Sequence, residues 1–297
     1  MELGSVLSAI GRTPMIDLTR LLGDRRGVRL MAKAEFMNPG GSVKDRPALY
    51  IVMDALRSGA LTQEKRILDA TSGNMGLGLA LVGASLGIGV TLVVPGSISQ
   101  QKLALLRYLG SEIIVSDALE GIDGAIRKAR EIYESDPKRY FYANQYDNPS
   151  NLRAHYETTG PEIIEQTLGK VTHFVAGVGT SGTLMGAGKR LKEVIRDVRL
   201  VEVQPAEPLH GIEGLKNMYN AIVPKIYDDS FADVRVFVRT EDAYNTARVL
   251  ARRFGLLTGP SAGANVYAAI SVAQDLEEGL VVTVLPDSAS RYIGLLT

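Results

Sequence analysis

The chain has 297 residues, longer than most single hydrophobic cores, and 45% hydrophobic with 22% charged residues describes an ordinary globular protein, so two lobes are expected. Its 33 basic residues balance 33 acidic ones, so the net charge points to neither nucleic acid nor an anionic membrane surface, and a small molecule is the expected partner. With no cysteine and only His155, His173 and His210, far apart in sequence, disulfides and thiolate chemistry are excluded and a metal site is not expected.

In chain order, VRLMAKAE (28–35) alternates well enough for a strand and leads into the turn NPGGSVKDR (38–46). A helix over PALYIVMDALRSGAL should stop at Gly59. Next come a short strand at 66–70, a Ser/Gly/Asn turn and a helix of small residues. VTLVVPG is a buried strand and SISQQKLALLRYLGSE the helix after it; EIIVSD, a helix through IDGAIRKAREIYESD, and YFYANQYDN complete the first half. Residues 149–161 read as a connecting region, with HYETTGPEIIEQTL helical. THFVAGVG is a strand running into a glycine loop, GTLMGAGKRLKEVI the helix behind it, and VRLVEVQP a further strand. Residues 206–229, with two prolines, two glycines and little period, read as a long functional loop. VRVFVRT, the helix EDAYNTARVLARRFG, the turn LLTGPSAGAN with its helix VYAAISVAQDLEEG, and the strand LVVTVLPD finish the chain. Such alternation is the signature of an α/β fold with a parallel sheet covered on its faces. No apolar run reaches the ~20 residues of a bilayer span. The start, MELGSVLSAIGRTP, has neither a basic leader nor a long apolar core, so a cytoplasmic protein without membrane contacts is expected.

Four glycine-rich turns, at Lys44, Thr71, Gly177 and Ser261, sit where a strand gives way to a helix or loop, the end at which open parallel sheets bind ligands, so all four could face one cleft. Lys44 ends a turn of two glycines, a proline and a serine. Partial desolvation there would make its amine nucleophilic toward an aldehyde cofactor, whereas the alternative is a solvated lysine near a helix start. In GVGTSGT (177–183), Gly177, Gly179 and Gly182 match a dinucleotide fingerprint, with Glu202 placed for a ribose. The hydroxyls of Thr180, Ser181 and Thr183 suit a phosphate monoester better. GPSAG (259–263) matches a nucleophile elbow, but every histidine precedes Ser261, so hydrolase chemistry is demoted. Ser261 is left to bond a heterocyclic nitrogen or to cap its helix. TSGNMG (71–76) offers hydroxyls, an amide and N–H groups as a carboxylate cradle, or serves only as an N-capping turn.

Together NPGGSVKDR, TSGNMG, GVGTSGT and GPSAGA, in this order, resemble the cysteine synthase branch of the fold-type II pyridoxal-phosphate enzymes, from IGRTP to LPDSASRY. The resemblance implies a two-domain fold like that of the tryptophan synthase β chain. Residues 1–12 with 34–146 would form the N-terminal α/β domain carrying the carboxylate loop, and 13–33 with 147–297 the C-terminal one carrying the phosphate loop. Lys44 matches the lysine that holds pyridoxal phosphate as a Schiff base and moves the substrate α-proton. Asn74 matches the partner of the ring hydroxyl, Gly179, Thr180, Ser181, Gly182 and Thr183 the phosphate loop, and Ser261 the hydroxyl at the pyridine nitrogen. Thr71, Ser72, Gly73 and Met75 match the substrate-carboxylate loop, assisted by Gln145. Met75 departs from the threonine usual there. Residues 211–228 look like the longer loop of O-phosphoserine sulfhydrylases, with Lys216 where those carry an arginine for the substrate phosphate. This implies β-replacement on O-phosphoserine through an aminoacrylate, with sulfide or a thiocarboxylated carrier protein as sulfur donor, in a homodimer without a metal. Alternatives are O-acetylserine as substrate, a cystathionine β-synthase core or a serine/threonine deaminase. From different classes come a nicotinamide-dependent oxidoreductase built on Gly177 and Glu202, and a catalytically silent binding relative.

Overall fold

The computed structural model describes residues 5–25, 27–292 and 294; residues 1–4, 26, 293 and 295–297, which the sequence-based domain bounds include, lie outside the described residues. The chain divides into two compact units, Met1–Ile10 with Lys44–Asn151, and Gly11–Val43 with Leu152–Thr297, so the segment 34–43 belongs with the second.

The chain runs through β1 (Met15–Asp17), β2 (Val28–Lys33), α1 (Asp45–Ser58), β3 (Arg66–Ala70), α2 (Asn74–Leu86), β4 (Val90–Pro95), α3 (Gln100–Tyr108), β5 (Glu112–Ser116), α4 (Gly121–Ser135) and β6 (Tyr140–Tyr142). It continues with α5 (Pro149–Ala154), a π turn at His155–Thr159, α6 (Gly160–Thr167), β7 (His173–Gly177), α7 (Gly182–Val194), β8 (Arg199–Pro205), β9 (Val234–Val238), α8 (Thr240–Phe254), α9 (Pro260–Gln274) and β10 (Gly279–Val284).

In the first unit β5, β4, β3 and β6 form a parallel sheet in that order. Every residue of β4 is buried, which is why VTLVVP reads as an unbroken apolar run where a half-buried strand would alternate. Apolar residues of α1 and α2, among them Ile51, Val52, Leu79 and Val82, pack with Ile67 and Leu92 into one core. α1 stops where the sequence predicts, at Gly59, whose φ of +74° is the left-handed turn that glycine accepts without strain.

The second unit carries a six-stranded sheet in the order β1-β2-β10-β7-β8-β9, parallel except for β1 against β2. Its cores lie on α9 and on α7: Val203, Ala264 and Val281 belong to one, Phe174, Leu184 and Leu200 to the other.

Three local expectations change. β1 is a three-residue strand, too short to show a period, and it is fixed by its antiparallel pairing with β2. The stretch read as a connection from 149 is helical from its first residue: Asn148 Oδ1 accepts from Ser150 N at 3.0 Å, with Pro149 preset for the first turn. α9 begins at Pro260, so Ser261 lies in the first helical turn, after the loop that the sequence assigned to it.

Candidate active site

The first unit gathers one group of the candidate residues at the carboxyl end of β3. Lys44, partly buried, stands immediately before α1 and its carbonyl accepts from Ala48 N at 3.0 Å. Gly78 lets α2 approach closely, since a Cβ there would lie 3.0 Å from Lys44 O. Thr71 Oγ1 accepts from the amides of Gly73 and Gly76, each at 3.0 Å, so its oxygen ties the start of α2 as an N-terminal cap does. Ser72 is exposed, Asn74 is the first residue of α2, and Gly73 before it has φ +158° and ψ −84°. Met75 is buried in the apolar core with Leu77 and Leu79. Gln145, from the turn after β6, donates from Nε2 to Ala70 O at 2.9 Å and so reaches the residue preceding Thr71. The stem of Lys102, a residue that the sequence left unmarked, crosses the same loop: a Cβ on Gly73 would lie 3.0 Å from its Cδ.

The second unit gathers the rest around the β7–α7 turn. Ser181 caps α7 in a left-handed conformation, φ +69°, rare for a residue with a side chain, and its hydroxyl is buried with no hydrogen-bond partner among the described residues. Gly179 admits the backbone of the long loop, because a Cβ would stand 2.1 Å from Gly214 O. Lys216 N, two residues on, donates to Val178 O at 2.9 Å, and its buried side chain donates from Nζ to Ile222 O at 3.2 Å. Ser261 is buried in the first turn of α9, and Asn265, one turn along, turns its Oδ1 to within 2.8 Å of where a Cβ of Gly177 would be.

Sequence reasoning missed His155. It is fully buried on the π turn, shares a hydrogen bond with Thr159 Oγ1 at 2.9 Å through Nδ1, and another with Thr183 Oγ1 at 3.3 Å through Nε2. It therefore supports the turn from beneath. Its only trace in the sequence is Gly186, where a Cβ would meet His155 Cβ at 2.8 Å.

The dinucleotide reading does not survive. Glu202 is fully buried and its carboxylate accepts from Arg235 Nε at 3.2 Å, from Tyr227 OH at 2.9 and 3.1 Å, and from Gln204 Nε2, so no ribose can reach it. A strained, unpartnered hydroxyl beside the N-terminal amides of α7, with backbone too close for any Cβ, fits a phosphate monoester such as that of pyridoxal phosphate. Among the described residues no group of three His, Asp or Glu could hold a metal, and no helix is long and apolar enough to cross a membrane.

Known proteins agree with this chemistry. Residues 6–287 match the family model described as pyridoxal-phosphate dependent enzyme. A cysteine synthase of Aquifex aeolicus (strain VF5) is 45% identical over 295 residues, covering 97% of this chain and 90% of the relative. The crystal structure of a cysteine synthase (OASS) from Entamoeba histolytica superimposes with a TM-score of 0.94 at 32% identity, covering 99% of this chain and 90% of the other. An O-acetylserine dependent cystathionine beta-synthase from Helicobacter pylori gives a TM-score of 0.92 at 36% identity, covering 99% and 98%. On these likenesses the chain belongs to the pyridoxal-phosphate dependent enzymes and, within them, to the cysteine synthase family.

Proposed function

We propose that this cysteine synthase replaces the β-substituent of an O-activated L-serine with sulfur, and that it prefers O-phosphoserine to O-acetylserine. When bound, pyridoxal phosphate supplies an aldehyde that takes up the substrate amine and an electron sink that weakens the bonds at Cα. The chain's own residues do the rest. The turn from Gly179 through Thr183 holds the cofactor phosphate on backbone amides and hydroxyls. Asn74 bonds the ring hydroxyl. Ser261 meets the pyridine nitrogen, and as a neutral hydroxyl it cannot enforce protonation there, which favours loss of the β-leaving group over transamination. Thr71, Ser72, Gly73, the amide of Met75 and Gln145 receive the substrate carboxylate. Lys44 anchors the cofactor through Nζ, takes the proton from Cα as the leaving group departs, and returns it after sulfur has added to Cβ. The sulfur donor is sulfide or a thiocarboxylated carrier protein. The same family resemblance supports a cytoplasmic homodimer.

The preference for O-phosphoserine is supported by one observation: the backbone N–H of Lys216 donates to Val178 O at 2.9 Å, which ties the main chain of this lysine to the start of the β7–α7 turn. A second reading, O-acetylserine as substrate, is favoured by the bond from Lys216 Nζ to Ile222 O at 3.2 Å, which makes the lysine a staple of its own loop. Steady-state cysteine formation from each substrate at fixed sulfide separates the two. Lys216→Ala should lower kcat/KM for O-phosphoserine about tenfold or more, the worth of a charged hydrogen bond, and leave O-acetylserine nearly unaffected. Equal losses on the two substrates would remove the phosphate role.

A further inference from the structure

Two residues before Thr71, Asp69 is fully buried at the carboxyl end of β3, and neither carboxylate oxygen has a hydrogen-bond partner among the described residues. The hydroxyl of Tyr142 on β6 and Oδ1 of Asn144 in the turn after it are buried and unpartnered in the same way. Such groups are rare in a folded core, and three adjoining one functional turn call for a reason. Asn144 has φ +46°, a left-handed conformation uncommon outside glycine, and the next residue is Gln145. Backbone amides of Ala70, Asn144 and Gln145, and the side-chain amide of Gln145, surround Asp69 without reaching hydrogen-bond geometry. Gln145 Nε2 donates to Ala70 O instead, at 2.9 Å. An ionised Asp69 would be a stronger acceptor for that amide than a neutral carbonyl is, whereas a protonated one offers a donor and competes weakly.

We propose that Asp69 is a positioning residue for Gln145: with its proton on, it leaves the Gln145 amide at Ala70 O beside the carboxylate loop, and on losing the proton it draws the amide away. The inference rests on the proposed role of Gln145 toward the substrate carboxylate. Burial pushes the Asp69 carboxyl up to about 8, against the pull of the surrounding amides. The charged and titratable groups facing this cluster are Tyr142 on β6, Tyr146 and Asp147 in the turn after it, and Asp123 and Arg130 on α4. The sequences of α2 and β4 contain no titratable side chain. Within this cluster it is burial that displaces the titration of Asp69 to the alkaline side.

The test is cysteine formation by the cofactor-loaded enzyme between about pH 6.5 and pH 9, comparing the parent with Asp69→Asn and Gln145→Ala. In the parent, KM for the O-activated serine should rise about three- to tenfold through pH 8, the worth of one hydrogen bond, with no matching limb in kcat. Asp69→Asn should lack that limb, keeping only whatever slope the substrate amine imposes on every form. Gln145→Ala should have a raised KM at low pH and no limb. Infrared spectroscopy of the parent should show a protonated-carboxyl band lost over the same pH range, which needs no turnover and remains informative if Asp69→Asn does not fold. Superimposable KM profiles for parent and Asp69→Asn, or no such band, would overturn the inference. An unchanged KM in Gln145→Ala would instead overturn the carboxylate role of Gln145 itself, and a raised KM there beside an unmoved Asp69→Asn profile would overturn the Asp69 inference alone.

Discussion

Ser181 holds two unfavourable features in one residue. Its φ of +69° costs about 1–3 kcal/mol in a residue with a Cβ, and its buried hydroxyl has no partner among the described residues. Neither helps a chain that only has to fold. Each becomes useful if an anion arrives at the amides of α7, because the turn then aims its donors inward and the hydroxyl gains an acceptor. Ser181→Gly should therefore separate folding from binding. The cofactor-free protein should gain about 1 kcal/mol, seen as a Tm higher by a few degrees. Its affinity for pyridoxal phosphate should fall severalfold in a fluorescence titration, for want of one hydrogen bond. Tighter binding by the glycine variant would show that the hydroxyl serves no anion.

At the scale of elements, Gly263 shows how a motif can be legible and mean something else. GPSAG has the pattern of a nucleophile elbow, yet a Cβ on Gly263 would stand 1.9 Å from Ala243 O, so this glycine exists to let α9 lie against α8. Gly263→Ala should cost about 1–3 kcal/mol as the helices are forced apart, read as a lower urea midpoint; an unchanged midpoint would mean the helices part freely. The larger elements were legible because fully buried parallel strands such as β4 are apolar throughout and helices such as α4 carry their own period. The four glycine turns were legible because glycine has few reasons to recur at strand ends. What stayed hidden depends on partners distant in the chain. β1 exists by pairing with β2, His155 acts on Thr183 across 28 residues, and Glu202 looked like a ribose acid until Tyr227 and Arg235 closed over it. Met75 likewise occupies a loop position in sequence but a core position in space.

For the molecule as a whole, formal charge is balanced at neutral pH, 33 against 33, so stability there is not dominated by general repulsion and a single buried titration should be visible. Asp69 offers it. Burial raises its pKa from 3.8 to about 8, so between those values the folded protein keeps a proton that the unfolded chain has released. The folded state then binds more protons, and the slope of unfolding free energy with pH is negative. The group's favourable contribution is whole below the unfolded pKa and is lost progressively as pH climbs through the folded one, by at most about 1.4 kcal/mol per pH unit. Asp69→Asn has nothing to release and removes this slope. Urea midpoints of the two proteins should accordingly lie closest near about pH 4 and move apart up to about pH 8, the asparagine form gaining on the parent, and then run parallel. Curves that stay parallel across the whole range would mean that Asp69 is ionised in the folded protein. Its unpartnered oxygens would then be a standing cost to the first unit, and would have no part in guiding Gln145.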